Sequence, residues 1–242
     1  MTSREKVEAG QRDEAWRSAR QGHLHARPGT PRIEGALGLH PLGLSLGHDG
    51  IIYVPPGYRP DQPAPLAVML HGAGGSAQHG LELLLARADE ANVILLAPGS
   101  RGPTWDVIVD DYGPDVHFID QALAHVFEQY AVDPARVAIG GFSDGASYAL
   151  SLGIGNGDLF RHIIAFSPGF AVPPRRQGTP RIFMSHGTDD RVLPIDRCSR
   201  RLMQVFERAG QDVHYVEFKG PHVVPEEVTR EAVRWWLEGS VH

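Results

Sequence analysis

The chain has 242 residues, of which 42% are hydrophobic and 21% charged, and its formal net charge at pH 7 is −6. These values are ordinary for a globular protein with one sizeable core, and an acidic balance without a long basic run argues against nucleic acid or an acidic membrane surface as a partner. A single cysteine, Cys198, excludes an internal disulfide, and no stretch is long and apolar enough to span a membrane. The first residues also lack the apolar run of a signal peptide, so we expect a cytoplasmic protein.

Residues 1–30 are polar and rich in arginine, and the segment that closes them, "ARPGTPR" at 26–32, contains Pro and Gly. We interpret 1–30 as an extension that precedes one catalytic domain, residues 31–242. We expect the extension to be solvated or partly disordered, with one short helix around 15–19. The alternative is an arm that contacts a second copy in a homodimer.

From residue 33 onward, short apolar runs alternate with helical patterns. Asp49 and Gly50 stand between two apolar runs, which predicts a β-hairpin. The later apolar runs are continuous, which is typical of strands buried on both faces; they are 66–70, 93–98, 136–142, 162–167, 181–186 and 213–218. The helical patterns cover 79–92, 115–131, 144–155, 194–210 and 225–239. This alternation predicts an α/β fold, a mostly parallel doubly wound sheet with its chemistry at the carboxyl ends of the strands.

Ser143 stands between Gly141 and Gly145 in "GGFSDGAS", where a predicted strand meets a predicted helix. The five-residue pattern alone arises by chance in a chain this rich in glycine. Its position at a strand-to-helix turn is the context of a nucleophile elbow, in which small flanking residues let the chain bend sharply. The alternative is that Ser143 only caps the helix.

A serine hydroxyl needs a base and an orienting carboxylate to act as a nucleophile. His222 lies in the loop after the last predicted strand, and His214, inside that strand, is the weaker candidate. Asp189 and Asp190 both follow the strand at 181–186, and the residues leave open which one is the acid. Serine, aspartate and histidine each follow a successive strand, so we expect them to meet at one edge of the sheet.

The glycine-rich loop "HGAGGS", residues 71–76, follows the first buried strand. An acyl-transfer site needs two preorganised N–H donors for its oxyanion. We expect these donors to be the N–H groups of Ala73 and Asp144, with Gly72 and Gly74 as alternatives to Ala73. The competing interpretation is a plain flexible turn.

Five segments together carry a family resemblance: "VMLHGAGGS", "ILLAPGSRGPTWD", "DPARVAIGGFSDGAS", "SHGTDDRVLP" and "GPHVVPEEV". Over residues 33–239 the chain resembles the α/β-hydrolase superfamily, and within it the phospholipase/carboxylesterase group and the related feruloyl esterase and polyhydroxyalkanoate-depolymerase-like esterases. The resemblance implies Ser143, Asp190 and His222 as the triad, Ala73 and Asp144 as oxyanion donors, and an acyl-enzyme mechanism without a cofactor.

The connection at 167–180 is too short to hold a large cap, so we expect an open, shallow cleft. Such a cleft suits short acyl or aryl esters and also admits a polyester chain. The residues that we expect to contact substrate are Gly72, Trp105, Phe142, Phe170, Leu193 and Val223, with Val172 as a further wall candidate.

We therefore expect a serine carboxylesterase that acts on small-molecule or polymeric esters. No metal is expected, because the spacings typical of zinc ligands are absent from the sequence. A thioesterase or lysophospholipase that takes longer acyl chains is one alternative. A non-catalytic binding protein with the same fold is another, and a peptidase is disfavoured because no groove-building insertion is present.

Overall fold

One sheet of eight strands organises the computed structural model, which describes residues 13–238. The strands are β1 (Gly38–Pro41), β2 (Ile51–Val54), β3 (Ala64–Leu70), β4 (Ile94–Ala97), β5 (Val132–Phe142), β6 (His162–Phe166), β7 (Arg181–Gly187) and β8 (Val213–Phe218). Their order across the sheet is β1-β2-β4-β3-β5-β6-β7-β8. Strand β2 pairs antiparallel with β1 and β4, and the remaining pairs are parallel. The predicted mostly parallel sheet is confirmed.

Helices cover both faces of this sheet. They are α1 (residues 13–20), α2 (Ala77–Ala91), α3 (Asp106–Val109), α4 (Pro114–Gln129), α5 (Asp144–Gly155), α6 (Ser199–Arg208) and α7 (Glu226–Glu238). Residue 239, the last of the predicted final helix, lies outside the described residues. None of the helices within residues 13–238 combines the length and apolarity that a membrane crossing requires.

The central strand β3 shows why the sheet needs helices on both sides. All of its residues are buried, and successive side chains point to opposite faces. Leu66 and Val68 join the core beneath α4 and α5. Ala67 and Met69 join the separate core beneath α2 and α7. A strand that is apolar on both faces is stable only between two layers of helices.

Two elements differ from the sequence-based expectation. The predicted hairpin forms, but residues 42–50 connect its strands, because the Asp49 carboxylate accepts the N–H groups of Gly43 (2.7 Å) and Leu44 (3.3 Å) and closes a wider loop. The helix predicted from 194 begins at 199, because Arg197 N–H bonds to Pro194 O at 2.9 Å in a tight turn.

The described part of the N-terminal extension packs against the domain. Leu24 is fully buried, and its N–H donates to Asn156 Oδ1 at 3.0 Å. The Asn156 amide in turn donates to Gly22 O at 2.8 Å. The expectation of a solvated extension is therefore wrong for residues 19–26, where Ala19 and Leu24 belong to the core. Residues 1–12 of the extension lie outside the described residues, and the dimer arm stays a prediction.

His162 at the start of β6 makes stability depend on pH. Its side chain is 4% exposed, and among the described residues neither ring nitrogen has a hydrogen-bond partner. Burial, reinforced by Arg181 and Arg161, lowers its pKa to about 4. An unfolded chain binds this proton near pH 6.5, so the stability present above pH 6.5 is lost as the pH falls towards 4.

At pH 5, protonation of His162 in the unfolded chain lowers the free energy of unfolding by about 2 kcal/mol. Replacing His162 with phenylalanine is therefore expected to remove this loss. A phenyl ring keeps a similar shape and the edge contact with Trp235, whose ring centroid lies 5.5 Å away. The free energy of unfolding is measured in urea for both proteins at pH 5 and at pH 7.5. The difference between His162→Phe and wild type should be more favourable to the variant at pH 5 than at pH 7.5. An equal change at both pH values would contradict the assignment of the pH dependence to this ring.

Candidate active site

Ser143 occupies a sharp turn between β5 and α5. Its backbone adopts φ 57° and ψ −119°, a left-handed conformation that side-chain-bearing residues rarely enter. Such strain costs on the order of 1–3 kcal/mol and persists only where the surroundings enforce it. Here β5 and α5 enforce it, and the turn lies at the carboxyl edge of the sheet.

Two glycines make the turn possible by allowing α5 to approach β3. A Cβ atom at Gly141 would lie 2.6 Å from Leu70 O. A Cβ atom at Gly145 would overlap the carbonyl oxygens of Leu70 and His71. Because these obstacles are backbone atoms, neither glycine can be replaced without moving the helix away from the sheet.

The fold brings Ser143, His222 and Asp190 into one hydrogen-bonded chain. The Ser143 Oγ atom lies 2.9 Å from His222 Nε2, and His222 Nδ1 lies 2.5 Å from Asp190 Oδ2. An ionised carboxylate only accepts hydrogen bonds, so the proton of a neutral His222 sits on Nδ1. His222 Nε2 is then free to accept the Ser143 hydroxyl proton, which is the arrangement that a nucleophilic serine requires.

Asp190 is held in place and ionised by its surroundings. Its side chain is buried, and Oδ1 accepts the N–H groups of Val192 (2.8 Å) and Leu193 (2.9 Å). Burial alone would raise its pKa, but the Leu193 N–H and His222 outweigh it, and the pKa is lowered. The carboxylate therefore stays negative under the conditions in which His222 would act.

The two alternative candidates for acid and base lie elsewhere. Asp189 points to the surface, where Lys219 Nζ lies 2.9 Å from its carboxylate. His214 pairs with Glu231 at 2.8 Å on the outer side of the sheet. Both residues offer controls that share chemistry with the site but lie outside it.

His186 is a site residue that the sequence analysis did not assign. Its Nε2 lies 2.8 Å from Leu193 O and 3.1 Å from Asp190 Oδ2, and both partners are acceptors. Nε2 must therefore carry the proton, and Nδ1 accepts from Ser199 Oγ at 2.5 Å. Burial lowers the pKa of His186, which keeps the ring neutral. The only sequence signal was a polar residue at the end of an apolar strand, four residues before Asp190.

The Asp190 carboxylate accepts three hydrogen bonds, and the His186 ring lies against it. Two backbone N–H groups bond to Oδ1, His222 Nδ1 bonds to Oδ2, and His186 Nε2 lies 3.1 Å from Oδ2. The acid therefore has one orientation, and that orientation fixes the imidazole plane of His222.

The glycine-rich loop after β3 passes directly beside Ser143. A Cβ atom at Gly72 would lie 3.4 Å from Ser143 Cβ. The Gly74 N–H is engaged, since it donates to Pro103 O at 2.7 Å. The N–H of Ala73 has no acceptor within the described part of the chain. This geometry favours Ala73 over Gly74 as a donor.

Asp144 is the first residue of α5, so its N–H has no acceptor inside the helix. The partial positive charge at a helix N-terminus favours an anion at this position. The Asp144 carboxylate accepts the Thr104 hydroxyl at 2.7 Å. This bond holds the side chain against the neighbouring loop.

Trp105 is buried beneath the glycine-rich loop and does not line an open pocket. Its side chain is 0% exposed, and its Nε1 donates to His71 O at 2.9 Å. The ring stacks on Tyr148 with centroids 5.2 Å apart. The prediction that Trp105 contacts substrate is wrong. Its indole is buried, and its N–H needs an acceptor there, which is the His71 carbonyl. The His71 ring also bonds to Gly72 O at 2.8 Å.

Two buried carboxylates fasten the loop that carries Trp105. Asp115 accepts the N–H groups of Arg101 (2.6 Å) and Asp106 (2.7 Å), and Asp106 accepts the Tyr148 hydroxyl at 2.8 Å. Burial, and then the charge of Asp106, raises the pKa of Asp115 to about 6. These bonds tie the loop to α4 and α5, and Thr104 of the loop bonds to Asp144.

The other predicted contact residues surround the triad to different degrees. The Phe142 ring packs on His222 with centroids 4.5 Å apart. Phe170 and Leu193 are half-buried, and Val223 is 44% exposed beside His222. The contact of these side chains with substrate stays a prediction.

Comparison with known proteins places the chain among esterases. The family described as "Putative esterase" matches residues 48–174, and the family "Phospholipase/Carboxylesterase" matches residues 116–234. Feruloyl esterase C of Emericella nidulans is 30% identical over 62% of this chain and 57% of that protein. "Putative esterase NocK" of Nocardia uniformis is 31% identical over 82% of this chain and 51% of that protein.

Solved structures agree on the fold. A ferulic acid esterase from Anaeromyces mucronatus superposes with a TM-score of 0.63 at 18% identity and covers 91% of this chain and 99% of its own. An acetyl xylan esterase from Aspergillus awamori gives a TM-score of 0.62 at 16% identity, covering 86% and 100%. The chain spans about half the length of the curated relatives it matches.

Proposed function

Since the chain belongs to the esterase family of the α/β-hydrolases, we propose that it is a serine carboxylesterase in which Ser143, His222 and Asp190 form the catalytic triad. The observation that carries this proposal is the hydrogen-bonded chain from Ser143 Oγ through His222 to a buried, ionised Asp190. A binding protein with the same fold would need neither the strained serine nor the hydrogen bonds that orient the carboxylate.

In the first half of the reaction, His222 Nε2 takes the Ser143 proton as Oγ attacks the ester carbonyl carbon. Asp190 stabilises the resulting imidazolium and keeps its Nδ1 proton in place. The carbonyl oxygen becomes negative and is stabilised by the N–H groups of Ala73 and Asp144. His222 then protonates the leaving alcohol, and the acyl group remains on Ser143.

In the second half, water enters the space left by the alcohol. His222 removes a proton from this water, which attacks the acyl carbon through the same oxyanion arrangement. Collapse of the second tetrahedral intermediate releases the carboxylic acid and returns the proton to Ser143. Apart from the ester and this water, both steps use only groups of the chain itself.

Short acyl or aryl esters are the substrates that the site suits best. The connection between β6 and β7, residues 167–180, carries no cap over Ser143, and the names of the relatives describe feruloyl and acetyl xylan esterases. A thioesterase or lysophospholipase would need a longer acyl groove. Action on polyesters, a homodimer and a cytoplasmic location stay predictions.

Trapping of the acyl-enzyme tests the proposal. Wild-type protein is mixed with p-nitrophenyl butyrate, quenched in acid within one turnover, and digested for mass spectrometry. We expect a burst of p-nitrophenol equal to the protein concentration and a butyryl group on the peptide that contains Ser143. Steady turnover without that adduct, or no turnover, would contradict the proposal. Comparing butyrate, palmitate and butyryl-thiol esters separates the carboxylesterase from its alternatives.

A further inference from the structure

A cavity of about 430 Å³ lies between the loop that follows β6 and helix α6. Its floor is apolar and includes Ile154, Leu202 and Phe206, which belong to the main core. Its border carries three cationic side chains, Arg176, Arg197 and Arg201. We call it the arginine cavity. No aspartate or glutamate of the described chain lines it.

The three arginines differ from the neighbouring Arg200 in having no acidic partner within the described residues. Arg200, on the same helix, is bonded by Glu217 and Asp196 at 2.7–2.8 Å. Within residues 13–238, Arg176, Arg197 and Arg201 form no ion pair. Three arginines therefore lie around the arginine cavity in a protein whose net charge is −6.

Two of these arginines occupy unfavourable positions for an empty site. Arg197 lies in the turn just before α6 and Arg201 in its first turn, so two like charges that repel stand at the same end of the helix. The first turn of α6 carries no acidic residue, so the cations also face the positive end of the helix dipole. A bound anion would relieve both effects, and a guanidinium group suits a carboxylate because it can donate two parallel hydrogen bonds.

Hydrogen bonds connect the wall of the arginine cavity to the residue Ser143. Gly169 lines the cavity, and its N–H donates to Ser147 Oγ at 2.9 Å. Ser147 Oγ in turn donates to the carbonyl oxygen of Ser143 at 3.2 Å. Cys198, on the opposite wall, is raised in pKa by burial and then by the nearby charge of Asp190. The elements that carry Ser143 and Asp190 therefore also border the cavity.

We propose that the arginine cavity binds the carboxylate of an ester substrate, so that the enzyme acts preferentially on esters of amphipathic organic acids that carry a second, anionic group. This inference rests on the proposed esterase function for its substrate role. The apolar floor accommodates an aromatic or aliphatic segment, and the arginines bind the charged end. The anionic group belongs to either the acyl or the alcohol part of the ester.

Direct binding tests the cavity without relying on catalysis. In Ser143→Ala protein, 3-phenylpropanoate should bind at least about tenfold more tightly than the neutral 3-phenylpropanol, and the difference should shrink as salt is added. The double variant Arg197→Gln/Arg201→Gln should abolish the difference in titration calorimetry. Arg208→Gln is the control, because it removes the same charge from the far end of α6, outside the cavity. This variant should retain the difference in affinity between the acid and the alcohol.

Paired substrates test the role in catalysis. Mono-4-nitrophenyl adipate is compared with 4-nitrophenyl hexanoate, and 4-carboxyphenyl acetate with phenyl acetate. We expect the charged member of one pair to have about tenfold higher kcat/KM, and this preference to vanish in Arg197→Gln/Arg201→Gln but not in Arg208→Gln.

The outcomes separate the two proposals. Hydrolysis that depends on Ser143, with no charge preference and no arginine-dependent binding of 3-phenylpropanoate, overturns the inference and leaves the esterase function standing. Arginine-dependent binding without hydrolysis of any ester supports the anion site and overturns the esterase function. Equal binding of the acid and the alcohol overturns the anion site whatever the activity is.

Discussion

Replacing Ser143 with alanine is expected to lower kcat/KM for p-nitrophenyl butyrate by about 10⁴-fold or more, down to the background of the assay. The substitution removes the proposed nucleophilic atom and leaves the proposed oxyanion donors, the N–H groups of Ala73 and Asp144, in place. Alanine and serine carry similar strain in the left-handed backbone region, so the substitution leaves the backbone strain nearly unchanged. We therefore expect the fold to be retained, with a melting temperature close to that of the wild type.

The measurement is the initial rate of p-nitrophenol release by both proteins under identical conditions. Ser147→Ala is the matched control, because Ser147 lies one turn further along α5 and its hydroxyl bonds to Ser143 O and Gly169 N. We expect this control to lose less than about tenfold in activity, since its hydroxyl only supports the backbone. If Ser143→Ala retained more than a hundredth of the wild-type rate, another residue would have to be the nucleophile.

Replacing Asp190 with asparagine is expected to lower kcat by about 10⁴-fold with little change in KM. Asparagine presents an NH₂ group where the carboxylate accepted the proton on His222 Nδ1. The imidazole would then place its proton on Nε2, facing Ser143, and could no longer accept the hydroxyl proton. Asp189→Asn, which removes the neighbouring carboxylate at the surface, should keep nearly full activity.

The same substitution is expected to reduce stability. Because the pKa of Asp190 is lowered by folding, its carboxylate contributes stability above the ordinary pKa of about 3.9, and that contribution is lost as the pH falls through the folded pKa. Asp190→Asn should therefore cost about 1–3 kcal/mol at pH 8 and progressively less in acid. Activity should be measured well below the melting temperature of the variant. If Asp189→Asn and Asp190→Asn lost activity equally, the assignment of the acid would be wrong.

Much of the fold was determined by local sequence. The continuous apolar runs of β3 and β4 predict strands buried on both faces, because a strand that is apolar on successive residues needs cover on both sides. The glycines around Ser143 predict a tight strand-to-helix turn, because no side chain fits where α5 meets β3. Periodicity and steric exclusion act within a few residues, so a single sequence exposes them.

Tertiary structure decided the details of the site. Asp189 and Asp190 are adjacent and chemically identical, and only the direction of the chain after β7 turns one towards Lys219 and the other towards His222. His186 gained its role because folding brings its ring against Leu193 and Asp190. The sequence predicts Trp105 as a pocket residue, yet its side chain is buried and its indole N–H donates to the His71 carbonyl.

The same reason explains the unexpected packing of the N-terminal segment. Leu24 is one apolar residue in a polar stretch, and no local pattern predicts that Asn156 accepts its N–H from across the domain. The grouping of Arg176 with Arg197 and Arg201 is equally invisible along the chain, since Arg176 precedes β7 and the other two follow it. Local sequence thus determined the strands, the helices and the elbow. Contacts between residues distant in the chain decided which side chains could act together, because hydrogen bonding and charge depend on distances that only the folded chain defines.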